Sequence, residues 1–397
     1  MRKTMKIHSI LLSLLLVSAA LSGSAWALTA SNTRIINNAT LSYDDGTGTK
    51  TASASVTVTV ALIPSAPVVA PGPPQTTPYT GPGTPLTNTF TVTAAANGPD
   101  TYDIASAISG APTNTSGAAA NIPVPASVTL GATVTMTGST TTAIIVPADG
   151  SSNSSVNGIE LGSTVVIGTE TRTVASVTDN ATGTSTINLA AALTAAPGAG
   201  ILVAEQQTVQ VVVTSGTITA PGTDITVAKS ITVTSTTAPN PTVTSGTVTD
   251  TYTSGLATLT KYVRNATTAS GSGTSITYGG NTYYLANVTA KPGETLEYLL
   301  VANNSGSGTV SSSTINDALP TTFVSLKTLV YSGSTRDVTY DNNGTVTFLT
   351  SAAADDQATY AASTLTVNIG AGATNALGGT IASGATVRVL YQTTVNP

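Results

Sequence analysis

A serine, threonine or cysteine nucleophile needs a base to take its proton, and histidine is the usual one. The chain holds one histidine, His8, and no cysteine. His8 and the only tryptophan, Trp26, both fall within the first 27 residues, so everything downstream lacks the common base and the soft ligands of zinc, copper and haem sites. Paired carboxylates are the remaining route to acid–base work, as in glycoside hydrolysis. Asp355 and Asp356 are adjacent, which suits a solvated turn better than two groups flanking a scissile bond. Calcium needs only oxygen ligands. The acidic turns Asp44-Asp45-Gly46 and Asp341-Asn342-Asn343-Gly344 offer them without the alternate-residue spacing of a calcium loop, and each reads as a hairpin turn. The inventory therefore predicts no catalytic residue, no metal site and no cofactor, and a chain that is not an enzyme.

The first residues explain where such a chain would work. Arg2, Lys3 and Lys6 precede an apolar run from Ile10 to Leu21, and Ser24-Ala25-Trp26-Ala27 ends in a small-residue cleavage site, the pattern of a secretory signal peptide over 1–27. The run is short against the ~20 apolar residues of a membrane span. Cleavage leaves ten of the 13 basic residues against 18 acidic ones, a net charge of −8. An acidic chain with no basic cluster is a poor partner for nucleic acid or anionic lipid. No second long apolar segment is present, so the mature chain is expected to be extracellular or at the cell surface, with no membrane insertion. The absence of cysteine excludes disulfide staples, and stability must come from burial and backbone pairing. Charged residues make up 8% of the chain, against roughly 25% in ordinary soluble domains, and a surface that short of charge resists self-association poorly.

Period-2 alternation of Val, Ile, Leu or Tyr with Thr or Ser, broken by Gly, Asn, Asp or Pro, predicts half-buried β-strands throughout. Residues 28–62 read as one hairpin: Ala39, Leu41 and Tyr43 alternate outward from a turn at Asp44–Gly48, and Val56, Val58 and Val60 return. Residues 63–83 lie in a stretch rich in proline and read as a linker that cannot join a central sheet. A first β-sandwich is expected over 84–237, with Phe90, Val92 and Ala94 at its start and Val209, Val211, Val213, Ile225, Val227, Ile231 and Val233 at its close. Within it, closely spaced short strands over about 143–205 suggest a small inserted β-barrel. A linker at 238–250 leads to a second body, 251–397, which holds ten of the 13 tyrosines and two of the three phenylalanines. In that body Leu296, Tyr298 and Leu300 share one face of a strand, and Glu297, Leu299 and Val301 the other.

The second body carries Leu259-Thr260-Lys261, Lys291-Pro292-Gly293-Glu294-Thr295-Leu296-Glu297-Tyr298, Asn303-Asn304-Ser305-Gly306-Ser307-Gly308, Asp317-Ala318-Leu319-Pro320 and Gly384-Ala385-Thr386-Val387 in order. This set resembles the bacterial conserved repeat domain of unknown function found in surface and secreted proteins. The resemblance implies an immunoglobulin-like β-sandwich and an extracellular location, and brings no catalytic residues. The first body is similar, with Asn97-Gly98-Pro99 at the N-x-G position and no D-x-L-P. The order of Lys261, Glu297 and Asn396 also resembles the Lys, Glu and Asn arrangement of intramolecular isopeptide bonds in Gram-positive pilin and adhesin domains. Tyr278, Tyr283 and Tyr284 form the one dense aromatic group, readable either as a ligand-binding platform or as cross-strand packing about Gly279-Gly280. Together these features predict an all-β structural protein of an extracellular filament, surface layer or matrix. Its expected partners are other copies of itself or other surface proteins. The alternative is an adhesin or a carbohydrate- or protein-binding module, with glycans as partners.

Overall fold

The computed structural model describes residues 29–121 and 123–397, and the signal-peptide reading of 1–27 lies outside them. The described residues hold strands and turns and no helix, arranged as immunoglobulin-like antiparallel sandwiches with a small barrel-like insertion. The reason is local: β-branched and aromatic residues fit the pleated, half-buried surface of a sheet, and their alternation with threonine and serine gives every strand one inward face.

A nine-stranded sheet and a six-stranded sheet face each other around Phe90, Tyr102, Leu130, Val209, Val211, Ile225, Ile231, Val233 and Tyr252, all buried. Tyr252 of the six-stranded sheet ties the layers together, donating its hydroxyl to the Val213 carbonyl of the other at 2.9 Å. The strand Leu202–Thr214 is shared by two cores. Its second half pairs with Pro85–Thr93 in the sandwich, while Val203–Glu205 pair with Val165–Ile167 of the insertion. The insertion closes its own core on Ile144, Val146, Val156, Ile159, Val165, Ile187 and Val203.

The segments read as linkers contribute strands to these sheets. Val68–Pro71 pairs antiparallel with Pro85–Thr93 at the edge of the nine-stranded sheet, and Thr76–Pro78 pairs in parallel with Val248–Thr253 at the edge of the other. Proline is tolerated there because an edge strand leaves one row of N–H positions unpaired. Val248–Thr253 itself pairs with Ile225–Ser235, and its Asp250 and Tyr252 are fully buried.

In the C-terminal sandwich an eight-stranded sheet, whose central strands are Ala257–Asn265, Thr295–Asn304 and Thr386–Val395, packs on a four-stranded sheet. Their shared core includes Leu300, Ile315, Leu319, Val338, Leu365, Val367, Val387, Val389 and Tyr391. The turn Lys291–Glu294 places Gly293 at φ 83° and closes with Glu294 N–H on the Lys291 carbonyl at 3.0 Å, as a type II turn requires of its third position.

Candidate functional site

The N-terminal hairpin stands apart from both cores. Arg34–Asp44 and Thr49–Thr59 form a separate two-stranded sheet in full antiparallel register, Arg34 opposite Thr59 through to Asp44 opposite Thr49. Its turn is held by side chains: Asp44 Oδ1 accepts from Gly46 N–H at 2.7 Å and Asp45 Oδ1 from Thr47 N–H at 2.9 Å. Both acidic groups thereby cap the turn. The register sorts the side chains into two unlike faces. Ile35, Ala39, Leu41 and Tyr43 share one face with Val58, Val56, Ala54 and Ala52, and with Asn37 and Lys50, while the reverse is Ser, Thr or Asn apart from Arg34, Ile36 and Asp44. The apolar face is bare, with Leu41 63% and Val56 58% exposed. Both outer edges of the ribbon are unpaired among the described residues.

The base of the ribbon is fixed by Asn97, buried in the first sandwich. Its carboxamide donates to the carbonyls of Thr29 and Ala61, at 3.0 and 3.1 Å, and accepts from the Ile63 N–H at 2.7 Å. One side chain therefore grips the chain on entering and on leaving the hairpin. Gly98 beside it allows the approach, because a Cβ there would sit 1.7 Å from Ser31 Oγ. The same device opens the C-terminal sandwich. Asn304 donates to the carbonyls of Gly308 and Ile381, both at 2.8 Å, and accepts from the N–H groups of Leu256 and Gly306. The N-x-G motif is thus a latch on the incoming chain. At Gly306 an added Cβ would meet the Ser254 carbonyl oxygen at 2.3 Å, a backbone atom that cannot rotate away. Gly306→Ala is expected to destabilise this sandwich by ~2–3 kcal/mol, as overpacking does; chemical denaturation followed by tyrosine emission reads it.

The tyrosines and Glu297 form a second cluster, on the outer face of the eight-stranded sheet. The hairpin Ser275–Tyr278 and Asn281–Tyr284 turns through Gly279 and Gly280, both at positive φ, as a two-residue primed turn needs. It lays Tyr278 and Tyr283 over Leu299 and Leu390. Tyr283 is 1% exposed, so its ring is packed away from any ligand, whereas Tyr284 is half-buried. Tyr278 stacks on the Arg388 guanidinium at 5.4 Å. Burial, with Asp341 beside it, pushes the Tyr278 hydroxyl up to about 12. Beneath the hairpin the buried Glu297 accepts from Arg264 Nε at 2.6 Å, Tyr283 and Tyr331 hydroxyls at 2.8 Å, and Gln392 Nε2 at 2.9 Å. Burial raises its carboxyl, and these four donors outweigh that and hold it below the usual carboxylate value.

Lys261 and Glu297 lie on opposite faces of this sheet. Lys261 pairs with Leu300 and Arg264 with Glu297, so Lys261 shares the inner face with Tyr298 and reaches Asp317 at 2.7 Å, its Nζ 4.5 Å from the Tyr298 ring centroid. Asn396 is bonded instead to Ser325 Oγ at 2.7 Å and the Thr321 carbonyl at 2.9 Å. The structure does not bring these three residues together. Asp341 caps its own turn through Gly344 N–H at 2.6 Å and pairs with Arg388, and Asp356 caps a loop through Thr350 and Ala358 N–H groups. Among the described residues there is no group of three or more His, Cys, Asp and Glu placed to hold a metal ion, and no helix long and apolar enough to cross a membrane.

No family model matches the sequence, and no curated protein does. Among solved structures, several bacterial ones are similar to the chain at low identity. The C-terminal domain of the Streptococcus agalactiae AgI/II polypeptide BspA is 11% identical, with 82% of this chain and 87% of that one covered and a TM-score of 0.30. The C-terminal domain of the Streptococcus pyogenes antigen I/II-family protein AspA is 12% identical over 91% and 92%, with a TM-score of 0.28. BcpA, the major pilin subunit of Bacillus cereus, is 11% identical over 69% and 68%, with a TM-score of 0.20.

Proposed function

We propose that the protein is exported and works at the cell surface or beyond it as a structural or adhesive module. In this reading the apolar face of the N-terminal hairpin binds a second copy of the chain. The exposed face itself carries the reading: Ile35, Leu41, Tyr43, Val56 and Val58 are large, apolar and bare. Each such side chain contributes ~1.5–3 kcal/mol when fully buried, and an isolated hairpin is marginal in water. A surface suited to receive it is the strand Thr345–Leu349, the free edge of the eight-stranded sheet, where Val346 and Phe348 are exposed. A ribbon with unpaired edges can add to that edge through the backbone while its side chains cover the apolar residues there. Donor and acceptor are different surfaces of one chain, so the contact is head-to-tail and builds a filament or layer instead of closing on a dimer.

Sedimentation velocity on the protein lacking residues 1–27 tests this. The unaltered chain is expected to form concentration-dependent oligomers. Leu41→Asp, Val56→Asp and Phe348→Asp should each raise the dissociation constant at least about tenfold, with far-ultraviolet circular dichroism unchanged. A chain that stays monomeric at high concentration removes the second copy as partner. It would favour the adhesive alternative, with a different surface protein on the same face. Glycan binding through Tyr278, Tyr283 and Tyr284 has less support, since the Tyr283 ring is buried and its hydroxyl is spent on Glu297.

A further inference from the structure

Three polar residues occupy inward positions in strands whose other inward residues are, Ser235 aside, apolar. Lys229 takes its place in the series Ile225, Val227, Ile231, Val233; Asn88 stands between Leu86 and Phe90; Asp250 stands between Val248 and Tyr252. Lys229 and Asp250 are 0% exposed and Asn88 2%. They meet in the middle of the first sandwich, Asn88 from the nine-stranded sheet and the other two from the facing sheet. Lys229 Nζ is bonded to Asp250 Oδ2. Asp250 Oδ1 accepts from Asn88 Nδ2 at 3.0 Å and from the Gln75 N–H at 2.9 Å. One carboxyl group therefore holds an amine on one oxygen and a carboxamide on the other, out of water. Asn88 Oδ1 is buried with no hydrogen-bond partner.

As a plain ion pair this arrangement is poor value for stability, because desolvating two charges costs several kcal/mol per ion and a buried carbonyl oxygen is left unpaired. As a reactant complex every part has a role. We propose that Lys229 and Asn88 become joined by an amide bond across the two sheets, with Asp250 carrying the protons. The Lys229 ammonium passes a proton to Asp250, leaving a neutral amine and a carboxylic acid. A half-turn of the Asn88 carboxamide, whose N and O are assigned by their partners, brings Oδ1 onto the acid and polarises the carbonyl. Lys229 Nζ then attacks Asn88 Cγ, the Cγ–Nδ2 bond breaks, and Asp250 relays a proton to the departing nitrogen, so ammonia leaves and a secondary amide remains. No oxidant, metal or other reagent enters. Burial pushes the Lys229 ammonium below its ordinary range despite the opposing pull of Asp250, favouring the neutral nucleophile, and enforced proximity supplies the rest.

Lys261 and Asp317 provide the internal contrast. The Lys261 side chain is 40% exposed, so water supports its charge, and the Tyr391 hydroxyl rather than a carboxamide takes Asp317 Oδ2, at 2.6 Å. That pair stays ionic.

Tryptic mapping of the denatured protein lacking residues 1–27 decides the matter, because trypsin does not cut after an acylated lysine. Cleavage sites flank the segments at Lys50, Arg172, Lys229 and Lys261. The expected product is peptide 51–172 joined to an uncut 173–261, lighter than their sum by one ammonia, with cleavage after Lys261 intact. Recovery of free 51–172 and 173–229 at their full masses overturns the proposal. Asp250→Asn should abolish the joined species; persistence of the joined species in that variant would overturn the role given to Asp250. The wild-type map stands whether or not the variant folds.

Discussion

Glu297→Ala lowers the unfolding free energy of the C-terminal sandwich by about 3–5 kcal/mol, the usual cost of removing one partner from a buried charged pair. Glu297 lies under the Ser275–Tyr284 hairpin and accepts from Arg264, Tyr283, Tyr331 and Gln392. Without it, a largely buried guanidinium and two hydroxyls lose their acceptor together, and the hairpin is left with its pairing of Tyr284 with Val263 and its apolar packing on the sheet. Replacing Glu297 and Arg264 together by leucine should recover part of the loss, since no unpaired charge is then left inside. Residues 28–397 contain no tryptophan, so tyrosine emission in a denaturant titration reads the transition, and Tyr283 and Tyr331 sit at the site. The same contacts give the pH dependence its sign. The folded carboxyl is held below its ordinary 4.5, so its contribution is fully present above the unfolded value and is lost as pH falls through the folded one. Glu297→Gln should flatten that acid limb. An unchanged limb, or a Glu297→Ala loss below ~1 kcal/mol against the cost expected of a buried pair, would show that the cluster is not holding the hairpin.

Much of the fold was legible in strand periodicity, and the parts that were not have identifiable causes. The division of Leu296, Tyr298 and Leu300 from Glu297, Leu299 and Val301 places Glu297 on the face opposite Lys261, because side chains alternate strictly along a strand. Which of the two faces would be covered was not readable. The outer face becomes a second small core only because the Gly279-Gly280 turn folds its hairpin back over the sheet, and a turn's type does not fix the direction in which the hairpin leans. Segment 63–83 hid its edge strands because three or four residues give too little alternation to count, and proline masks pairing that is allowed at a sheet margin; segment 238–250 hid the first half of Val248–Thr253, a six-residue strand that straddles the boundary drawn at 251. The N-x-G signature was visible as a motif, but its asparagine works on chain segments distant in sequence, Ile63 for Asn97 and Leu256 for Asn304. Lys229, Asn88 and Asp250 did leave a mark. Each is a polar residue at an inward phase, where Ile225, Val227, Ile231 and Val233 are separated by a lysine that any count of apolar residues passes over.

The two latches can be told apart by what each variant loosens. Asn304 is fully buried and makes four hydrogen bonds through one carboxamide. Asn304→Ala strands two carbonyls and two N–H groups at the mouth of the C-terminal sandwich, and at roughly 1 kcal/mol for each bond a loss of about 4 kcal/mol is expected. Asn304→Asp keeps the volume but sets a carboxylate against the Gly308 and Ile381 carbonyls, so it should be no milder. Asn97→Ala removes three bonds, about 3 kcal/mol on the same scale, and the loss falls on the junction rather than on a core. Amide hydrogen exchange should therefore quicken at residues 29–33 and 60–63 while the Phe90 and Val211 strands stay protected. If the hairpin is the contact between copies, Asn97→Ala also weakens assembly although no residue on the apolar face has changed, because a ribbon free to swing loses orientational freedom each time it docks. Asn304→Ala leaves the ribbon's base intact and should spare assembly wherever the C-terminal sandwich is still folded. An Asn97→Ala chain that exchanges as slowly as the unaltered one at its base would mean that Ser31 N–H on the Asn97 carbonyl, at 2.7 Å, with the buried Ala30 behind it, holds the hairpin without the side chain.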